Sequence, residues 1–166
     1  MKQPKSFVFA HDIIFSGVKQ ESSLLAERRF KETGESLFDE LVFDEEYLIK
    51  FRELFFDGQS EVTAVLSPYM RDVPTEAEVF NEKDFFESRD YAFVLMMPED
   101  FNSHLMRPVN IKIREYFIAY IMYRWLETKL PQEAATYKGR ADEALSKVKT
   151  FSNILSKPLR RKHGFW

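Results

Sequence analysis

The hydrophobic pattern is densest at Tyr116–Leu126, YFIAYIMYRWL, where ten of eleven residues are apolar or aromatic and Arg124 carries the single charge. A surface helix shows one apolar stripe, whereas a helix that is apolar all round must be covered on nearly every side. The run is about half of the ~20 residues that a membrane span needs. Lys112, Arg114 and Glu115 close it on one side, and Glu127 and Lys129 on the other. It predicts a buried central helix from about Pro108 to Lys129, with proline at the start, where its missing N–H costs nothing. Another helix is expected from Pro131 to Ser156–Lys157, before Pro158. In it Ala134, Tyr137, Ala141, Ala144, Val148, Phe151 and Leu155 recur in steps of three and four. This is a heptad-like seam whose alanines let it lie close to the aromatic helix. The short link makes the two helices antiparallel neighbours; a coiled-coil partner on another subunit is the alternative for the seam.

Upstream, Asp44 reads as an N-cap, with Glu45 and Glu46 in the first turn, where the helix dipole favours anions. Leu48, Phe51, Phe55, Gly58, Val62, Val65 and Tyr69 then mark one helical face. That helix should end near Ser67, because a residue before proline is steered away from helical geometry. Gly58 lies on the apolar face and marks either a close helix contact or a bend. Residues 71–90 read as an acidic connector pinned to the core by Phe80, Phe85 and Phe86, and Glu99–Met106 as a short helix. Tyr91–Met97, YAFVLMM, predicts a buried strand, ended by Pro98 and pairing with the N-terminal arm. In that arm, residues 6–18 read as one strand or a short pair, from their β-branched and aromatic content. Residues 23–31 fit a strand and Glu32–Glu35 a turn; Leu37, Phe38, Leu41 and Val42 fit a helical turn as well as a strand.

The expected fold is therefore mainly α with a small β part (α+β). It is an antiparallel helical bundle of about three long helices around a buried aromatic helix, with a β-rich N-terminal arm. One domain spans 1–157, divided into the arm (1–43) and the bundle with one inserted strand (44–157), and a basic-aromatic tail occupies 158–166.

Composition adds three constraints. The 166 residues suit one domain able to bury a core unaided. Seventeen Phe within a 16% aromatic content imply either a ring-filled core or rings serving an interface. Cysteine is absent, which excludes disulfides, thiolate metal sites and cysteine nucleophiles. Asp12 interrupts the first apolar stretch, so no signal-peptide core forms and cytoplasmic synthesis is expected, with no membrane association. The net charge of −3 hides a polarity: residues 1–100 carry 22 acidic against 11 basic side chains, and residues 101–166 carry 5 against 13. Either the halves neutralise each other within one subunit, or the acidic face of one subunit meets the basic face of the next. A head-to-tail contact of the second kind closes into a ring or continues as a filament.

Candidate chemistry is sparse. His11, His104 and His163 share no metal-like spacing. Asp44-Glu45-Glu46 and Glu82/Asp84/Glu87 read as a helix start and a solvated face, without calcium-loop spacing. There is no glycine-rich phosphate loop and no G-x-S-x-G serine. No catalytic residue, cofactor or metal is expected. Arg124, alone in an apolar run, should be buried in a structural ion pair, with Glu127 first among the candidate partners. In the tail, Lys157, Arg160, Arg161 and Lys162 precede His163, Phe165 and Trp166. Such a segment suits docking into an acidic groove with an aromatic anchor, nucleic-acid binding by phosphate contact and base stacking, or a frayed terminus that does little.

Several strings carry a resemblance: YRWLETKLPQEAATY (123–137), the basic ending KPLRRKHGFW, LSPYM (66–70) and PEDFN (98–102). They resemble small proteins encoded in phages and prophages of gut Bacteroidales. The order of helices with a small β part is similar in outline to head–tail connector (neck) proteins. The resemblance implies a non-enzymatic structural protein of the virion, a ring-forming homo-oligomer that also contacts other virion proteins. It supplies no catalytic residues, and it does not cover residues 1–43. The competing expectation is a small nucleic-acid-associated protein that binds through the basic tail.

Overall fold

A computed structural model describes residues 2–70 and 91–153. The chain is mainly helical with a small two-stranded antiparallel sheet. The expected acidic connector (71–90), the end of the last helix beyond Asn153 and the tail (158–166) lie outside the described residues.

Strands β1 (Lys2–Phe9) and β2 (Tyr91–Pro98) pair with Lys5 opposite Leu95, Phe7 opposite Phe93 and Phe9 opposite Tyr91. Alternation buries Phe7, Phe9, Leu95 and Met97 and leaves Val8 exposed. A two-stranded sheet is marginal in water, so this one depends on the helices behind it. The ring of Phe9 lies 6.0 Å from Phe117, and that of Tyr91 meets Phe55 edge-on at 6.4 Å. The expected pairing of the 91–97 strand with the N-terminal segment is present.

The β-rich arm is confined to residues 2–9. Residues expected as strand form α1 (His11–Thr33), a fourth long helix. Its core positions are His11, Ile14, Val18, Ser22, Leu25 and Ala26, a helical stripe containing two polar residues. Ile13 and Leu24 lie off that stripe, exposed, and blur the period; tertiary packing, not local propensity, selects the helix. The turn expected at 32–35 is its C-cap: Gly34, at φ 74, donates its N–H to the Phe30 carbonyl at 2.8 Å. One helical turn, α2 (Phe38–Leu41), follows.

Asp44 caps a 3₁₀ turn (Glu45–Tyr47), accepting from the Glu46 N–H at 3.1 Å, and α3 (Leu48–Met70) continues from it. Pro68 lies inside α3, which runs past the expected stop at Ser67. Proline leaves the Ala64 carbonyl without its helical donor, and the Ser67 hydroxyl donates to that oxygen at 3.0 Å. Gly58 marks a close contact: a Cβ there would sit 3.2 Å from Phe117 and 3.3 Å from Tyr120.

After a 3₁₀ turn at Ser103–Leu105 come α4 (Met106–Leu126) and α5 (Pro131–Ser152). These two helices share the most extensive contact in the fold. Tyr123 neighbours Lys138, and Lys112 shares a groove with Lys147, so the pair is antiparallel. Ala134, Tyr137, Ala141, Ala144 and Val148 are buried at this seam. Arg124 corrects another expectation: its side chain is 41% exposed, with Nε 3.6 Å from Glu127 Oε2. The apolar run is therefore covered except along one narrow strip, through which a guanidinium reaches water.

The core is ring-filled. Phe15, Phe43, Tyr47, Phe51, Phe55, Phe117 and Trp125 form a continuous array, with Phe51 and Phe55 stacked at 5.8 Å and Trp125 edge-on to Phe43 at 4.6 Å. The fully buried rings Phe43, Phe51, Phe55 and Phe117 each contribute roughly 1.5–3 kcal/mol by leaving water.

Candidate functional site

One strip of α4 departs from this apolar core. Tyr116, Tyr120, Tyr123 and Arg124 fall on one helical face, while Phe117, Ile121 and Met122 point into the core. The tyrosines form the floor of a groove of about 300 Å³. Glu61 of α3 stands on one side, and Lys138, Ala141, Asp142 and Leu145 of α5 on the other. The spacing 138, 141, 142, 145 is a single helical face, and Ala141, being small, deepens the groove.

The rings are ordered by their neighbours. Tyr116 and Tyr120 stack at 5.6 Å, and Tyr123 meets Tyr120 edge-on at 6.3 Å. The Tyr123 hydroxyl donates to Glu127 Oε1 at 3.2 Å, and Lys138 Nζ sits 5.6 Å from the Tyr123 ring centre. Burial pushes the Tyr116 phenol far above its ordinary value, with Tyr120, Glu61 and Asp142 adding to the effect. Burial also raises Tyr120, against the opposing charge of Arg124. Both phenols therefore stay protonated across the physiological range and act as hydrogen-bond donors, not bases.

The charges of the groove are unequal in their commitments. Arg124 is engaged with Glu127 and Tyr120, and Lys138 lies by Tyr123. Glu61, Asp142 and the nearby Asp57 make no ion pair with a described residue. Two exposed carboxylates, Glu61 and Asp142, thus flank the tyrosines, with exposed Asp57 close enough to act on Tyr120.

A second charged cluster joins α1 to α5. Arg140 grips Glu21 with both terminal nitrogens at 3.3 Å, and Tyr137 donates to the same carboxylate at 3.0 Å. Burial raises the Glu21 pKa, but the Arg140 and Tyr137 hydrogen bonds and the arginine charges outweigh it and hold the carboxyl below its ordinary value. Glu133 meets Arg28 at 2.9 Å and Arg29 at 3.4 Å. Every charge here has a partner, so the cluster reads as a clamp between helices.

Of the residues singled out from sequence, Arg124 and Glu127 meet beside the groove. Arg160, Arg161, Lys162, His163, Phe165 and Trp166 lie outside the described residues. His11 is buried edge-on against Phe51 at 4.7 Å, far in sequence and setting from exposed His104. Among the described residues, no group of three His, Cys, Asp or Glu side chains is placed to hold a metal, and no helix is long and apolar enough to cross a membrane. The tyrosine floor was not anticipated, since the whole run reads as core. The signal was available: within YFIAYIMYRWL the polar-tipped residues 116, 120, 123 and 124 share one helical face.

No protein-family model matches the chain, and no curated protein or solved structure matches it either.

Proposed function

We propose that this chain is a non-enzymatic assembly protein whose subunits dock through the groove floored by Tyr116, Tyr120 and Tyr123. The observation that carries the reading is the groove's composition: half-exposed Tyr120 and Tyr123 and exposed Arg124 on one strip, backed by buried Tyr116, residue types that dominate binding energy at protein interfaces. Tyrosine supplies a rigid apolar ring with a polar tip at small entropic cost, which suits a surface wet when free and dry when bound. The resemblance to phage and prophage head–tail connector proteins gives such docking a setting, a ring of copies at the virion neck.

Light scattering across protein concentration and salt tests the reading. Self-association is expected to rise with concentration and to weaken in salt, as contacts between charged surfaces do. Tyr120→Ala should reduce it at least tenfold, the loss of ~1.4 kcal/mol or more that an interface anchor contributes. A monomer at every concentration, or a Tyr120→Ala chain that associates like the wild type, overturns it.

A further inference from the structure

Resting on the assembly reading, we infer that the tyrosine groove receives the basic-aromatic segment Lys157–Trp166 of a neighbouring copy. The groove has two properties that a partner must match. Its floor offers the half-exposed rings of Tyr120 and Tyr123, with Tyr120 stacked on buried Tyr116 at 5.6 Å and Ala141 in the lining. Its lining offers Glu61 and Asp142, and Asp57 lies near enough to act on Tyr120; none is ion-paired with a described residue. Of the groove's own cations, Arg124 pairs with Glu127, and Lys138 lies 5.6 Å from the Tyr123 ring centre.

The segment KPLRRKHGFW supplies both complements. Lys157, Arg160, Arg161 and Lys162 place four cations against Glu61 and Asp142 of the lining and the nearby Asp57, and guanidinium planes also stack on tyrosine faces. Phe165 and Trp166 supply large apolar rings for the floor. By contrast, the wider groove between α1 and α4, lined by Asp12, Ile13, Gln20, Arg114 and Ile118, holds one acid and one base and no aromatic ring. It has no comparable match to this segment.

The test uses full-length protein. In the Arg160→Glu/Arg161→Glu/Lys162→Glu chain the groove is unchanged while the segment's charge is reversed. A fluorescently labelled peptide of sequence KPLRRKHGFW is titrated into that protein and followed by anisotropy. Saturable binding is expected, weakened tenfold or more when Glu61→Lys or Tyr120→Ala is added, with helical circular dichroism unchanged. In light scattering the wild type should associate and the charge-reversed chain should not. No saturable binding, or binding indifferent to Glu61 and Tyr120, overturns the inference, and association of the wild type in that case leaves the assembly reading standing. Peptide binding together with a strictly monomeric wild type also overturns it, because the segment would then dock within its own subunit.

Discussion

Trp125 offers the sharpest test of how the connector between α1 and α3 is held. Its indole Nε1 donates to the Leu41 carbonyl at 2.8 Å, and Lys129 Nζ sits 3.1 Å from the ring centre while donating to the Glu40 carbonyl at 2.6 Å. The ring also meets Phe43 and Tyr47 edge-on. Trp125→Phe removes three things. The buried Leu41 carbonyl loses its donor, which costs about 1–3 kcal/mol. The smaller ring leaves a void costing on the order of 1 kcal/mol. Part of the cation–π attraction, ~0.5–1 kcal/mol in full, is lost as well. The sum is about 2–4 kcal/mol, a large part of a typical domain's ~5–15 kcal/mol. Guanidinium unfolding followed by circular dichroism measures it without relying on tryptophan emission. Hydrogen exchange should quicken across residues 34–47 before it does in α5. A loss below ~1 kcal/mol at unchanged denaturant slope would refute the indole as the connector's anchor.

Two further outcomes follow from local geometry. Gly34→Ala should cost about 1 kcal/mol in the same assay: a Cβ there meets nothing within 4 Å, so the loss comes from the left-handed backbone at φ 74 alone. The Glu21 carboxyl, held below 4.5 by Arg140 and Tyr137 against the effect of burial, binds fewer protons folded than unfolded. Its contribution is present above the unfolded value and is lost as pH falls from about 4.5 through the folded pKa. Arg140→Gln should flatten that acid limb in thermal melts collected from pH 6 to pH 3, and an unchanged limb would count against the clamp.

How much was legible in the sequence depended on whether a core face was chemically uniform. In α3, Phe51, Phe55, Gly58 and Val62 are apolar or small and buried, so the helix could be read directly. In α5 the alanine seam was equally plain. In α1 the face includes His11 and Ser22, and Ser22 is buried because its hydroxyl accepts from the Phe43 N–H at 2.9 Å and donates to Lys19 at 2.9 Å. A polar residue whose bonds are satisfied 21 positions away has no local signature, and the helix was read as strand. The same reason hid the groove. Tyrosine counts as core in a hydrophobic pattern, and only packing separates buried Tyr116 from half-exposed Tyr120 and Tyr123. Arg124 failed in the opposite direction, since a charge in an apolar run looks buried until the uncovered strip is seen.

The charge polarity can now be weighed against internal neutralisation. Ion pairs joining the acidic half to the basic half run in both senses. Glu21 with Arg140 links an acid of the first to a base of the second, whereas Arg28 and Arg29 with Glu133 link bases of the first to an acid of the second. Lys19–Glu45, Lys50–Glu53, Lys112–Glu115 and Lys147–Glu143 pair within a half and leave its net charge unchanged. Among the described residues such pairs secure helices, in a chain that carries 22 acids and 11 bases in residues 1–100 and 13 bases and 5 acids beyond them. Surface fields from unequal charge act over roughly a Debye length, ~8–10 Å at moderate salt. In the proposed assembly, head-to-tail contacts are therefore expected in preference to symmetric ones. Salt is consequently the informative variable. Association driven by the tyrosine floor alone would be nearly indifferent to it, whereas association that needs the carboxylates of Asp57, Glu61 and Asp142 must weaken as salt rises.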